Sequence, residues 1–150
     1  MASERDASRH EPSLLPEVRR RAAEAVIPLY ALWEATQRCN LRCRHCYLAG
    51  EWERNEMDTA QAGDMLDQLA RLGSLFLLIT GGDPLLRDDF FQLVDRAREL
   101  GFAWKLLTNG TLIDAIKARE LAKRNPLAVS ISLHGLEQTH ERTTRVPGSF

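Results

Sequence analysis

Three cysteines dominate the chemistry that this sequence of 150 residues could perform. Cys39, Cys43 and Cys46 lie in one stretch, Cys-Asn-Leu-Arg-Cys-Arg-His-Cys, and the chain has no other cysteine that could form a disulfide with them. Thiolates with this tight spacing can converge on one soft metal centre. Three thiolates leave one coordination position open, which is usual for catalytic rather than structural metal sites.

Three interpretations of this stretch are open from the residues alone. The cysteines could be ordinary thiols in a reducing compartment. They could bind zinc with His45 or a more distant histidine as the fourth ligand, although zinc sites usually present a second paired element that this sequence lacks. They could bind an iron–sulfur cluster in which one iron has no protein ligand, and the spacing favours this interpretation.

The elements around the cysteines alternate between strands and helices. Apolar runs predict strands over residues 29–33, 75–80, 102–107 and 127–133. Apolar periodicity predicts helices that begin at Asp58 or Thr59, at Asp88 or Asp89, and at Asp114. This alternation predicts an α/β fold of parallel (βα) repeats with right-handed crossovers.

Each predicted strand ends in residues that could contact a ligand. The first leads into the cysteines, and the others end in Gly81-Gly82-Asp83-Pro84, Thr108-Asn109-Gly110 and Ser132-Leu133-His134-Gly135. In parallel sheets ligands bind at the carboxyl ends of the strands. Glycines there let a ligand approach the backbone, and Asp83 could accept hydrogen bonds from an ammonium group. Taken singly, each stretch could also be only a tight turn.

Together these motifs resemble those of the radical S-adenosylmethionine (radical SAM) enzymes, from about Pro28 to Phe150. The stretch Cys-Asn-Leu-Arg-Cys-Arg-His-Cys-Tyr is similar to the form found in peptide- and protein-modifying (SPASM-type) members. The resemblance implies the first four strands of a partial (β/α)6 TIM-like barrel. It also implies a 4Fe-4S cluster held by Cys39, Cys43 and Cys46, with S-adenosylmethionine (SAM) chelating the fourth iron.

The resemblance further implies which residues contact SAM. Gly81, Gly82 and Asp83 correspond to a Gly-Gly-Glu motif that holds the methionine amino group, with Asp in place of Glu. Asn109 would line the cleft for SAM and substrate, and Ser132 would approach the ribose. His45 would pack on the adenine, although a solvent-facing histidine is the alternative. The sequence identifies no catalytic side chain.

The implied reaction is reductive cleavage of SAM to a 5′-deoxyadenosyl radical that abstracts hydrogen from a substrate. A peptide or protein substrate is expected, with a small molecule as the alternative, and the electron would come from a donor such as flavodoxin or ferredoxin. Two other functions remain: an inactive, truncated remnant that binds a partner, and a zinc-binding structural module.

Composition sets the remaining expectations. Residues 1–26 read as a polar tail with a short helix over Ser13–Ala25, and residues 27–150 as a core domain that is incomplete after its fourth strand. Twenty basic and 21 acidic residues give a net charge of −1, so no nucleic-acid or membrane surface is expected. The lack of a signal peptide and of a membrane-length apolar run, with free cysteines, predicts a cytoplasmic protein.

Overall fold

The fold is a single parallel sheet with helices packed on one face. A computed structural model describes residues 14–48 and 56–150. The strands are β1 (Tyr30–Thr36), β2 (Phe76–Gly81), β3 (Ala103–Thr108) and β4 (Ala128–Ile131), in the spatial order β1-β2-β3-β4, and every neighbouring pair is parallel. The predicted α/β class and sheet are therefore confirmed.

The helices are α1 (Leu15–Glu24), α2 (Thr59–Arg71), α3 (Phe90–Glu99), α4 (Ala115–Lys123) and α5 (Glu137–Thr144). The first four agree with the predicted helices to within a few residues. The proposed N-cap Ser13 and the polar tail before it lie outside the described residues. No helix in the described parts of the chain is long and apolar enough to cross a membrane.

Two of the three aspartate caps form as expected. The Asp58 carboxylate accepts from the Gln61 N–H, while the Gln61 side chain accepts from the Asp58 N–H, a complete capping box. Asp114 accepts the N–H groups of Ile116 and Lys117, and these bonds lower the pKa of its carboxyl. At α3 the predicted Asp89 does occupy the N-cap position, but its side chain makes no cap bond and pairs with Arg87 instead.

One face of the sheet forms the core. Its inward side chains alternate along the strands and pack against the apolar sides of α2 and α3. The buried members are Trp33 and Ala35 on β1, Leu77 and Ile79 on β2, and Trp104 and Leu106 on β3, covered by Ala62, Leu66, Phe90, Leu93, Val94 and Ala97.

The opposite face, which we call the inner face, is largely uncovered among the described residues; Arg19 of α1 lies over the Tyr30 ring at one end of it. Tyr30, Leu32 and Leu107 lie on it and expose 50%, 63% and 37% of their surface. In the barrel implied by the resemblance this face would point to the interior. Its exposure here follows from a sheet that has helices on one side only.

The end of β4 departs from the expected pattern. In the predicted strand over residues 127–133, apolar Val129, Ile131 and Leu133 alternate with Ser130 and Ser132, but only Val129 packs against the core. Ile131 and Leu133 expose 56% and 66% of their surface, and the strand stops at Ile131. The following helix, α5, contacts the cysteine loop through the carbonyls of its last two residues.

Candidate functional site

The cysteine loop, residues 39–46, lies at the carboxyl ends of the strands and is held from three directions. The N–H of Asp83, at the end of β2, donates to the Arg38 carbonyl over 2.8 Å. Asn109, at the end of β3, contacts the loop through its side chain. The backbone N–H groups of Arg42 and Arg44 donate to the Thr144 and Thr143 carbonyls of α5, each over 3.0 Å. The stretches expected at one rim are therefore neighbours.

The three cysteines are free and half-buried within this loop. The N–H of Cys46 donates to the Cys43 carbonyl, and the Leu41 N–H approaches the Cys39 sulfur at 3.4 Å. Burial raises the pKa of the Cys43 thiol, and the charges of Cys39 and Cys46 raise it further. The three sulfurs are thus close enough for their charges to repel.

Three soft thiols on one short loop are the donor set that iron–sulfur clusters use. A cluster places each cysteine on a different iron, so its thiolates stand further apart than the ligands of zinc. Backbone and amide N–H groups directed at a cysteine sulfur are also typical of cluster loops.

Gly81 and Gly82 allow two strand ends to approach one another. A Cβ atom on Gly81 would overlap the Thr36 carbonyl oxygen, and one on Gly82 would overlap that of Arg38. Gly81 also has a φ of +138°, which side chains disfavour. The glycines therefore serve the backbone leading into the cysteine loop, and their proposed role in admitting a ligand stays a prediction.

Asp83 is fully buried and holds the rim together. One carboxylate oxygen accepts from the Leu85 N–H over 3.0 Å. The other accepts from the Thr108 hydroxyl over 2.7 Å and from the Asn109 N–H over 3.0 Å. Both oxygens have protein partners and the side chain is fully buried, and a contact of Asp83 with the SAM amino group stays a prediction.

His45 begins a row of histidines that the sequence analysis did not connect. Its exposed ring meets the edge of His134 with 4.8 Å between centroids, and His134 stacks on His140 at 5.5 Å. Burial lowers the pKa of His134, and the charges of His45 and His140 lower it further. His140 is buried; its Nδ1 accepts from the His134 N–H, whereas its Nε2 has no partner among the described residues. Contact of His45 with adenine stays a prediction.

Ser132 follows β4 and is exposed, and its N–H donates to the Thr108 carbonyl over 3.1 Å. The main chain therefore ties Ser132 to the end of β3. Its proposed contact with the ribose of SAM stays a prediction.

Two further contacts near the loop were not predicted from the sequence. Arg87 is buried and donates to the carbonyls of Ala35 and Met57 while pairing with Asp89, so it ties the end of β1 to the start of α2. Although burial alone would raise the pKa of Asp89, the bonds from Arg87 and Thr59 hold it below its usual value.

Tyr47 follows the last cysteine and donates to the Glu34 carboxylate over 2.5 Å. This hydrogen bond raises the pKa of Tyr47 to about 12. The pairing of Tyr47 with Glu34 leaves no signal in the sequence, so only the fold reveals it.

A parallel (βα) sheet with a three-cysteine loop at its carboxyl rim defines a cofactor-binding barrel segment. Residues 33–150 match the sequence model of the Radical SAM superfamily, and the chain belongs to that superfamily. The recognition of this family is thereby confirmed. Radical SAM chemistry uses a 4Fe-4S cluster and S-adenosylmethionine, so the cofactor prediction is confirmed at the level of the family.

Relatives of known activity fall into more than one class. The chain is 38% identical over 122 residues to Fe-coproporphyrin III synthase of Methanosarcina barkeri, which covers 79% of this chain and 30% of the relative. It is 37% identical over 124 residues to mycofactocin maturase MftC of Mycolicibacterium smegmatis, which covers 82% of this chain and 32% of the relative. The chain thus spans about a third of the length of the curated relatives it matches.

Solved structures agree with the fold. The crystal structure of Streptococcus suis SuiB bound to S-adenosylmethionine superposes with a TM-score of 0.72 at 26% identity, covering 89% of this chain and 33% of SuiB. The similarity extends over nearly the whole described sheet and its helices, which supports the assignment of the strand order to a radical SAM barrel.

Proposed function

We propose that this chain forms the cluster-binding part of a radical SAM enzyme. The observation that carries the proposal is the position of Cys39, Cys43 and Cys46 on one loop at the rim of a parallel sheet that matches the superfamily from residue 33 to 150. When bound, the cluster and SAM supply reductive cleavage of the sulfonium and hydrogen abstraction from an unactivated carbon.

The chain's own residues supply position and shielding for this chemistry. The three cysteines would hold the cluster, while Asp83 and the paired glycines fix the strand ends beneath it. The residues proposed to contact SAM lie at the end of a strand or in the segment that follows one: His45, Gly81, Gly82, Asp83, Asn109 and Ser132.

We propose a peptide or protein as the substrate of the whole enzyme. The similarity to mycofactocin maturase MftC supports this class. A tetrapyrrole is the second candidate, because the identity to Fe-coproporphyrin III synthase is as high. Titration of the whole enzyme with coproporphyrin III separates the two, because a shifted Soret band would favour the tetrapyrrole over the peptide.

The electron donor also remains a proposal. Exposed Arg42 and Arg44 flank Cys43, and Arg142 and Arg145 lie beside the carbonyls that their backbones contact. Because this surface is basic, an acidic donor protein such as flavodoxin or ferredoxin is a suitable partner.

Anaerobic reconstitution with iron and sulfide tests the central proposal. We expect about four irons per chain and a charge-transfer absorption that disappears on reduction. SAM should then change the electron paramagnetic resonance spectrum of the reduced cluster. Replacing any one of the three cysteines by Ala should abolish the complete cluster. Stoichiometric zinc without iron in the anaerobically purified protein would contradict the proposal.

A further inference from the structure

We infer that Asn109 is a positioning residue for the cluster, which donates its amide to the Cys39 sulfur and thereby sets the cluster's reduction potential. Asn40 and Thr111 fix the orientation of that amide. This inference rests on the proposed function, since it concerns the cluster that the three cysteines would hold.

Three side chains form a closed ring of hydrogen bonds, which we call the amide clasp: Asn40, Asn109 and Thr111. The Asn109 Nδ2 donates to the Asn40 Oδ1 over 2.8 Å, and the Asn40 Nδ2 donates to the Thr111 hydroxyl over 2.8 Å. That hydroxyl donates to the Asn109 Oδ1 over 2.6 Å and closes the ring. Each side chain therefore donates once and accepts once within the clasp.

The clasp determines which end of the Asn109 amide faces the cysteine. The Asn109 Oδ1 also accepts from the Thr111 N–H over 2.9 Å. Turning the amide over would place its NH₂ group against two donors and lose both bonds. The nitrogen is consequently held toward Asn40 and Cys39, with 3.8 Å between Nδ2 and the Cys39 sulfur.

Cys39 differs from the other two cysteines in this respect. Its sulfur is approached by the Asn109 amide and by the Leu41 N–H, whereas in the described parts of the chain no side chain donates to the sulfur of Cys43 or Cys46. Reduction makes a cluster more negative, so N–H donors to its cysteines stabilise the reduced form and raise the potential. The amide of Asn109 is placed to do this at one corner of the cluster.

The backbone that carries the Asn109 amide is held in place by hydrogen bonds. The Asn109 N–H and the Thr108 hydroxyl both bond to the buried carboxylate of Asp83. β2 lies between β1 and β3 in the sheet, so the clasp joins β3 to the loop after β1 across the end of β2. Asn109 is half-buried, which limits competition from water for its amide.

Potentiometric titration of the reconstituted chain tests the inference. Asn109→Ala removes the donor and should lower the midpoint potential. Asn109→Asp keeps the size, loses the donor and adds a negative charge, so its potential should fall further. At the wild-type midpoint, we expect the ratio of reduced to oxidised cluster to fall by up to about tenfold, or about 59 mV for one electron.

Thr111 supplies a matched pair that does not touch the cysteine. Thr111→Ser keeps the hydroxyl and should retain the wild-type potential, whereas Thr111→Val opens the clasp and should lower it by less than Asn109→Ala does. If the Asn109 variants fail to take up iron, the two Thr111 variants still test the inference. Equal midpoint potentials in Thr111→Ser and Thr111→Val would overturn it.

An Asn109→Ala variant that binds the cluster with the wild-type midpoint potential would likewise overturn this inference and leave the proposed function intact. Failure of the unchanged chain to take up iron would instead count against the proposed function itself. The two results are therefore distinguishable on the same preparation.

Discussion

The buried carboxylate of Asp83 accepts three hydrogen bonds from two segments, so its shape and charge are both constrained. In Asp83→Asn an NH₂ group must face one of the donors that the carboxylate now accepts. An unsatisfied buried donor costs about 1–3 kcal/mol of unfolding free energy. Asp83→Glu should also destabilise, by about 1–3 kcal/mol, because one extra methylene must fit a filled site. Chemical denaturation of the apo chain measures both.

Asp88→Asn is a suitable control for these variants, because Asp88 is exposed and a surface substitution usually changes stability by less than about 0.5 kcal/mol. A wild-type unfolding midpoint in both Asp83 variants would show that the hydrogen bonds of this carboxylate do not stabilise the fold.

Arg87 presents a second buried charge whose removal has a definite pH signature. Arg87→Met removes the charged partner of Asp89 and the donor to two carbonyls, which should cost about 3–5 kcal/mol. The paired Asp89 has a pKa below its usual 3.8, so it stabilises the fold above that pH and loses this contribution as the pH falls through the lowered value.

The difference in unfolding free energy between wild type and Arg87→Met should accordingly be full near neutral pH and shrink below about pH 3.8. Arg71→Met, at an exposed position on α2, should differ from wild type by less than about 0.5 kcal/mol throughout. A difference that is constant down to acid pH would contradict the role given to the ion pair.

Some functional residues could be predicted from the sequence and others could not. The spacing of the cysteines indicated the family, because few functions need three thiols in eight residues. The inward direction of Asp83 could not be predicted, since Gly-Gly-Asp suits an exposed turn equally well. Arg87 carried no signal because an arginine in a loop between a strand and a helix is ordinarily solvated.

At the scale of elements, the capping box of α2 gives a direct test. Asp58→Ala removes the acceptor for the Gln61 N–H and should lower the unfolding free energy by about 1 kcal/mol. Asp64→Ala, at an exposed position within the same helix, should change it by less than about 0.5 kcal/mol. Equal effects of the two substitutions in thermal unfolding would mean that loss of a carboxylate, not of the cap, is what matters.

The strands and α2 to α4 were predictable because apolar runs and apolar stripes mark buried surfaces. α5 was not, since its buried residues are His140 and Thr144 and it has no apolar stripe. Its position depends on backbone bonds to the cysteine loop, which a sequence pattern does not record.

At the scale of the whole molecule, the uncovered inner face predicts self-association. Tyr30, Leu32 and Leu107 present an apolar surface on a sheet whose outer strands, β1 and β4, have no further described partner. Such surfaces and edges promote association. Light scattering should show a mass that rises with concentration, and replacing Leu32 and Leu107 together by Gln should reduce the rise.

The same double substitution should leave the unfolding midpoint nearly unchanged, because the two side chains are largely exposed. Exposed Ile116 on α4 provides the comparison, since Ile116→Gln removes apolar surface from the helical side. A strictly monomeric wild-type chain would contradict this prediction. The predicted sheet already implied an inner face. How far this face extends depends on where β4 ends, which only the structure shows.

The contact between the cysteine loop and α5 has a consequence for how this loop can vary. Arg42 and Arg44 meet α5 through their backbone N–H groups, not through their side chains. Nineteen of the twenty amino acids can donate such a bond, and only proline cannot. In a saturation library, positions 42 and 44 should therefore accept substitutions of any size or charge while retaining the cluster, with proline alone depleted. Iron content across the library measures this tolerance directly.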